Sequence, residues 1–276
     1  MGFRLVALDI DGTILDSRGA VGPRIKAAVR RAREAGVAVV LATGRRFRAA
    51  QPVAEELGIR GPLVLNNGAL VIGDDGQEVL YHRPLQPGAA VRAIRLLEGQ
   101  GLAPVLYRHT TAGPDVFYRR PTEDPWFKRL QNRPDVLRQV NDLGDSCHPG
   151  PDKILVWEEP DRLHQLEGQL RRALGRNVRV YVSLDDHNRA TLEVVHGSCS
   201  KAGGVRRVAA RMGVSRQEVV AVGDHLNDLD LIRYAGLGVA MGNAREEVKA
   251  SARLVTGTND EEGAADVLER YVLPVA

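Results

Sequence analysis

Short, largely apolar runs at residues 3–8, 37–41 and 62–65, and again at 219–222, 238–241 and 254–256, alternate with stretches whose apolar residues recur at helical spacing. Runs this short, bounded by turn residues, read as strands buried on both faces. Such strands belong in a parallel sheet covered by helices on either side. Between residues 24 and 35, Ile25, Ala28, Val29 and Ala32 mark the buried face of one covering helix. Residues 201–212, 226–235, 245–252 and 261–273 read as further helices. Ser215 and Glu218 have the spacing of a capping box, but the strand beginning at Val219 leaves no room for a helix behind them, so the box is discounted.

The middle of the chain has another pattern. From about residue 84 to 189 the helices are fewer and strands come in adjacent pairs: 103–108 with 116–119 across Gly113 and Pro114, and 178–184 with 191–195 across 185–188. These read as antiparallel hairpins. Leu163, Leu166, Leu170 and Leu174 form one face of a helix over 162–174. The expected organisation is therefore an α/β core with a parallel sheet, made of residues 1–83 and 190–276, interrupted by an inserted α+β domain at 84–189.

Composition narrows the function. Hydrophobic residues make up 43% of the 276, enough for a substantial core. The 38 basic and 35 acidic residues leave a net charge of +3, and the basic residues are scattered, with no aromatic-interleaved basic patch. A nucleic-acid partner is not expected. Two cysteines, Cys147 and Cys199, make no disulfide framework, and no apolar stretch is long enough to span a membrane. The expectation is a cytoplasmic protein without a membrane partner, a monomer or a homodimer.

Four motifs carry chemistry. Asp9-Ile10-Asp11-Gly12-Thr13 follows the first strand, where ligands of a parallel sheet bind. Two carboxylates one residue apart there need a cation or a proton beside them. A calcium loop starting the same way needs glycine at its sixth position and glutamate at its twelfth; Ile14 and Ala20 stand there instead. Thr43-Gly44-Arg45 ends the second strand with a hydroxyl and exposed N–H groups that suit a phosphate. Lys201, one of only five lysines, opens a helix rich in Ala and Val; a compact ammonium there can bridge a carboxylate and a phosphoryl oxygen. In Gly223-Asp224-His225-Leu226-Asn227-Asp228, a helix starting near Leu226 brings Asn227 and Asp228 close to Asp224, a denser acidic cluster than a cap requires. Taken singly, each motif also has a plain explanation as a turn, a cap or a solvated charge.

In this order the four motifs resemble the haloacid dehalogenase (HAD) superfamily, and most closely its Cof-type phosphatases, whose α/β cap is inserted between the second and third motifs. The resemblance covers essentially the whole chain, including Asn66-Asn67-Gly68 and the segments 236–244 and 256–263. It implies a HAD-like Rossmannoid core with an inserted cap, and a phosphatase that hydrolyses a small phosphorylated metabolite through an aspartyl-phosphate intermediate. Asp9 would attack phosphorus, and Asp11 would protonate the leaving oxygen and then deprotonate the attacking water. Asp9, the Asp11 main-chain carbonyl and Asp224 would hold Mg2+, supported by Asp228. Ile10, Thr43, Gly44, Lys201 and Asn227 would hold the phosphoryl oxygens. The cap would close over the site, and the 185–189 turn would read the leaving group. A phosphomutase using the same aspartate, or a non-catalytic phosphometabolite sensor, are the alternatives. A sensor has no use for a nucleophile beside a general acid.

Overall fold

The computed structural model describes residues 2–74, 76, 78–184 and 190–273. The chain divides into two compact units, one of residues 1–82 and 200–276, the other of residues 83–199. The first begins with β1 (Leu5–Leu8), α1 (Pro23–Glu34), β2 (Ala38–Ala42), α2 (Phe47–Glu56), β3 (Leu63–Leu65), β4 (Leu70–Ile72) and β5 (Val79–His82). The second contains α3 (Pro87–Gly99), β6 (Val105–Tyr107), β7 (Val116–Tyr118), α4 (Pro125–Leu130), β8 (Leu137–Gln139), β9 (Lys153–Glu158), α5 (Pro160–Leu174), β10 (Val178–Leu184) and β11 (Ala190–His196). The first unit resumes with α6 (Lys201–Arg211), β12 (Val219–Gly223), α7 (Leu229–Tyr234), β13 (Leu237–Ala240), α8 (Glu246–Lys249), β14 (Leu254–Val255) and α9 (Gly263–Val267).

The first unit is the expected α/β core. Its sheet runs β14-β13-β12-β1-β2-β3-β4-β5. Strands β14 to β3 are parallel, and β4 and β5 extend the sheet as an antiparallel edge. Side-chain alternation on β1 supplies both layers: Val6 and Leu8 pack with Val29, Val53 and Val267, while Leu5 and Ala7 pack with Val205, Val208 and Leu231. This is why the strand has no polar position. Helix α1 has no acidic residue in its first turn. Glu262, from the far end of the sequence, caps it instead, its Oε2 accepting from the Ile25 N–H (2.8 Å). A Cβ at Gly22 would overlap that carboxylate.

The inserted unit has a six-stranded sheet, β10-β11-β9-β6-β7-β8, antiparallel apart from the β7–β8 pair. Residues from α3 and α5, among them Ile94, Leu97, Leu166 and Leu170, pack with Ile154, Val156, Leu192 and Val194 from one face of the sheet. Trp126, Phe127 and Leu130 of α4 pack with Val105, Tyr107, Leu155 and Trp157. Both antiparallel strand pairs read from the sequence are present.

Three expectations change. The second domain boundary falls at 199/200 and not at 189/190, because β11 pairs on both sides with strands of the inserted sheet. The segment 226–235 is a 3-10 turn (Leu226–Asp228) followed by α7, and 261–273 is α9 followed by a wider π turn (Leu268–Val272). The discounted capping box exists: Ser215 N–H and Oγ–H both donate to Glu218 Oε2 (2.9 and 2.7 Å), on a single 3-10 turn that ends where β12 begins. A box needs one turn, not a helix. Ser215→Ala is expected to lower stability by about 1 kcal/mol, read as a drop in thermal midpoint with unchanged catalytic turnover. The 185–189 turn lies outside the described residues. Among the described residues no helix is long and apolar enough to cross a membrane.

Candidate active site

β1 lies between β12 and β2 in register, Leu8 opposite Val222 on one side and Leu41 on the other. The residues that follow these three strands therefore emerge together at one edge of the sheet. They are Asp9, Asp224 and Thr43. The Asp9 N–H continues the ladder to the Val222 carbonyl (3.1 Å), and the Thr43 N–H that of the Val64 carbonyl (2.8 Å).

Lys201, the first residue of α6, is fully buried. Its Nζ donates to Oδ1 of Asp9 and to Oδ1 of Asp228, both at 2.7 Å. A solvated lysine at a helix start is thereby ruled out. The other oxygen of Asp228 accepts from the N–H groups of Asp224 and His225 (3.3 and 3.1 Å), which fixes the turn carrying Asp224. Thr13 Oγ1 donates to Asp224 Oδ1 (3.3 Å). Gly12 has φ of 71°, and a Cβ there would overlap the Asp224 carboxylate. The glycine of the first motif is what lets the fourth motif approach it.

Segments 236–244 and 256–263 buttress the first loop. Asn243 Nδ2 donates to the Gly12 carbonyl (2.8 Å), the Asn259 N–H to Asn243 Oδ1 (3.0 Å), and Asn259 Nδ2 to the Leu15 carbonyl (2.9 Å). The Thr43 hydroxyl is buried and accepts from the Arg45 N–H (3.1 Å). Ile10 is buried among the core residues, and its carbonyl accepts from the N–H groups of Thr13, Ile14 and Leu15.

Two expected site residues are engaged by other side chains. The Asp11 carboxylate is mostly exposed and is held by Arg45, with Nε donating to Oδ2 (2.9 Å) and Nη2 to Oδ1 (2.5 Å). The Asn227 amide donates to Asn67 Oδ1 (2.9 Å). Sequence reasoning gave Arg45, Asn67 and Asn243 no role. For Arg45 a signal existed, since it ends the second motif itself.

The electrostatics are those of a site short of positive charge. Burial pushes the Asp9 carboxyl up to about 7; the Lys201 ammonium opposes the rise, and Asp228 and Asp11 add to it. Asp224 is raised well above the usual carboxylate range, by burial first and then by Asp9 and Asp228. Burial works against the Lys201 ammonium, but Asp228 and Asp9 outweigh it and raise its pKa above the ordinary lysine value. Burial lowers His225 to about 4, helped by Arg245, so its imidazole is neutral at pH 7.

Asp9, Asp224 and Asp228 offer carboxylate oxygens that all lie within 4.8 Å of one another. One buried ammonium cannot balance three carboxylates, whereas that ammonium and a divalent cation together can. The all-oxygen donors suit a hard ion. The residues fit such a metal.

Residues 6–268 match the sequence profile of the haloacid dehalogenase-like hydrolases. The pyridoxal phosphate phosphatase of Escherichia coli (strain K12) is 29% identical over 287 residues, covering 99% of this chain and 100% of that protein. The 5-amino-6-(5-phospho-D-ribitylamino)uracil phosphatase of Bacillus subtilis (strain 168) is 27% identical, covering 97% of each. The crystal structure of a haloacid dehalogenase-like hydrolase from Bacteroides thetaiotaomicron superposes with a TM-score of 0.81 at 30% identity, covering 97% of this chain and 99% of that one. This chain is a phosphatase and belongs to the haloacid dehalogenase-like hydrolases.

Proposed function

We propose that the protein hydrolyses a small phosphorylated metabolite through a phosphoryl group carried on Asp9, with Mg2+ as its metal. The observation that carries this reading is the buried Lys201 ammonium bridging Asp9 and Asp228. A fully buried charge is costly unless its partners need it there. Asp9 attacks phosphorus, and the bond from phosphorus to the leaving oxygen breaks. Asp11, released from Arg45 and protonated from solvent, gives that oxygen its proton. Asp11 then takes a proton from water, the water oxygen bonds to phosphorus, and the bond from Asp9 to phosphorus breaks to free inorganic phosphate. Aspartate chemistry of this kind splits one difficult displacement into two. Lys201, Thr43, the Ile10 and Gly44 N–H groups and the Asn227 amide hold the phosphoryl oxygens. Asp9, Asp224 and the Asp11 carbonyl, supported by Asp228, would hold the magnesium. When bound, it would neutralise the carboxylates and the phosphate beside them. The pyridoxal phosphate phosphatase and the 5-amino-6-(5-phospho-D-ribitylamino)uracil phosphatase are named for phosphate esters of small metabolites, which supports the same class here.

Purified protein with Mg2+ should release inorganic phosphate steadily from at least one monoester in a metabolite panel. Phosphate moved between hydroxyls with no net release would instead indicate a mutase. No reaction with any ester, together with phosphate binding, would indicate a sensor.

The metal part has a separate check. Excess chelator should abolish turnover and Mg2+ restore it, while Ca2+, with its looser and higher coordination, should support it poorly. Thermal melts give a readout independent of turnover. Mg2+ at a hundred times its dissociation constant should stabilise the metal-free protein by about 2.7 kcal/mol. An unchanged melt and full activity in chelator would contradict the metal assignment.

A further inference from the structure

Asn66-Asn67-Gly68 follows β3 and belongs to none of the four motifs. All three residues have left-handed backbone, with φ of 48°, 53° and 85°. Such a run is strained unless its surroundings hold it. Here they do. The Asn66 N–H donates to the Arg45 carbonyl and the Asn67 N–H to the Thr43 carbonyl, both at 3.0 Å, which ties the turn to the second motif. A Cβ on Gly68 would overlap the main chain of Ser200, so the turn presses on the residue just before Lys201. A side chain reaches the fourth motif: Asn227 Nδ2 donates to Asn67 Oδ1 (2.9 Å).

Glycine adopts this backbone without penalty, and asparagine merely tolerates it. A turn needed only for its shape has no reason to bury a carboxamide at position 67, which is 0% exposed. The carboxamide of Asn227 supplies the reason. Its Oδ1 is buried and has no hydrogen-bond partner among the described residues. The bond to Asn67 is therefore what sets its direction. An amide nitrogen carries two hydrogens. One is given to Asn67, which leaves the other for a ligand.

We propose that Asn67 is a positioning residue for phosphoryl transfer. It accepts from Asn227 and so aims the second N–H of that amide at a phosphoryl oxygen, and the left-handed turn fixes this aim relative to Thr43 and Lys201. The inference rests on the reading of Asn227 as a phosphoryl contact.

The test is a double-mutant cycle with an aryl phosphate as substrate and Mg2+ present. Asn67→Gly keeps the backbone and deletes the acceptor; Asn227→Ala deletes the amide. Each single variant is expected to lower kcat/KM by about tenfold or more, the scale of one lost hydrogen bond to a charged group. Asn67→Gly should add less than about threefold on the Asn227→Ala background, because residues that act as one unit are not additive. Orthovanadate inhibition should weaken in parallel in the two single variants. Asn67→Ala, which deletes the same acceptor at some cost in backbone strain, should show the same coupling wherever the glycine variant is too loose to fold. If Asn227→Ala is impaired but Asn67→Gly is not, Asn67 does not position it. An equal loss on both backgrounds means that Asn67 acts on the fold alone and overturns the proposal. A fully active Asn227→Ala removes the phosphoryl contact itself, and the proposal falls with that reading.

Discussion

Asp9→Asn is expected to lower phosphate release on the order of 10⁴-fold or more, the scale on which a covalent nucleophile is missed, while the protein remains folded. The substitution keeps the shape and removes the charge. Lys201 retains Asp228 as a partner at 2.7 Å. The metal-free protein also loses one of three mutually repelling carboxylates, two of them buried. Asp9→Asn should therefore melt no lower than the unaltered protein when both are free of metal. Loss of turnover with an unchanged melt assigns the effect to chemistry. Appreciable turnover in this variant would mean that another group attacks phosphorus.

The second large effect is expected at Lys201. Lys201→Arg conserves charge, and a lysine in solvent would tolerate it. This lysine is not in solvent: the residue is 0% exposed, and its Nζ is within 2.7 Å of two carboxylate oxygens. The guanidinium is planar and wider, and its rigid fork cannot put one compact charge between those oxygens. Turnover should fall on the order of 10²-fold or more, comparable to losing one preorganised electrostatic donor. The extra atoms should cost about 1–3 kcal/mol of stability by overpacking. Kinetics belong at a temperature where melts show both proteins folded. Near-native turnover in the Arg variant would return Lys201 to a purely structural role.

The sheet was legible because its central strands are buried on both faces and carry no polar residue, so each stands out as an apolar run. The site was legible for the same reason. Asp9, Thr43 and Asp224 directly follow such strands, and parallel register brings strand ends together whatever the loops do. β5 was missed because its alternating Val79-Leu80-Tyr81-His82 lies at a partly exposed edge and has no such run. β11 was assigned to the wrong unit because the boundary at 189/190 was drawn through a strand pair that the sequence itself showed; β11 belongs with its partner β10 in the inserted sheet. Lys201 is ordinary in sequence; its burial comes from where α6 is anchored. Arg45 and Asn67 were missed as partners because Asp11 lies 34 positions from one and Asn227 160 positions from the other. Those distances in sequence close only in the folded core.

A phosphoryl group carried on Asp9 during turnover can be trapped there. Enzyme turning over an aryl phosphate with Mg2+ would be quenched rapidly in acid, digested, and its peptides mapped by mass spectrometry. One phosphoryl group is expected on the peptide containing Asp9, localised to that residue and absent from Asp9→Asn treated in the same way. Phosphoryl found on any other residue, or steady turnover by Asp9→Asn, would contradict Asp9 as the carrier.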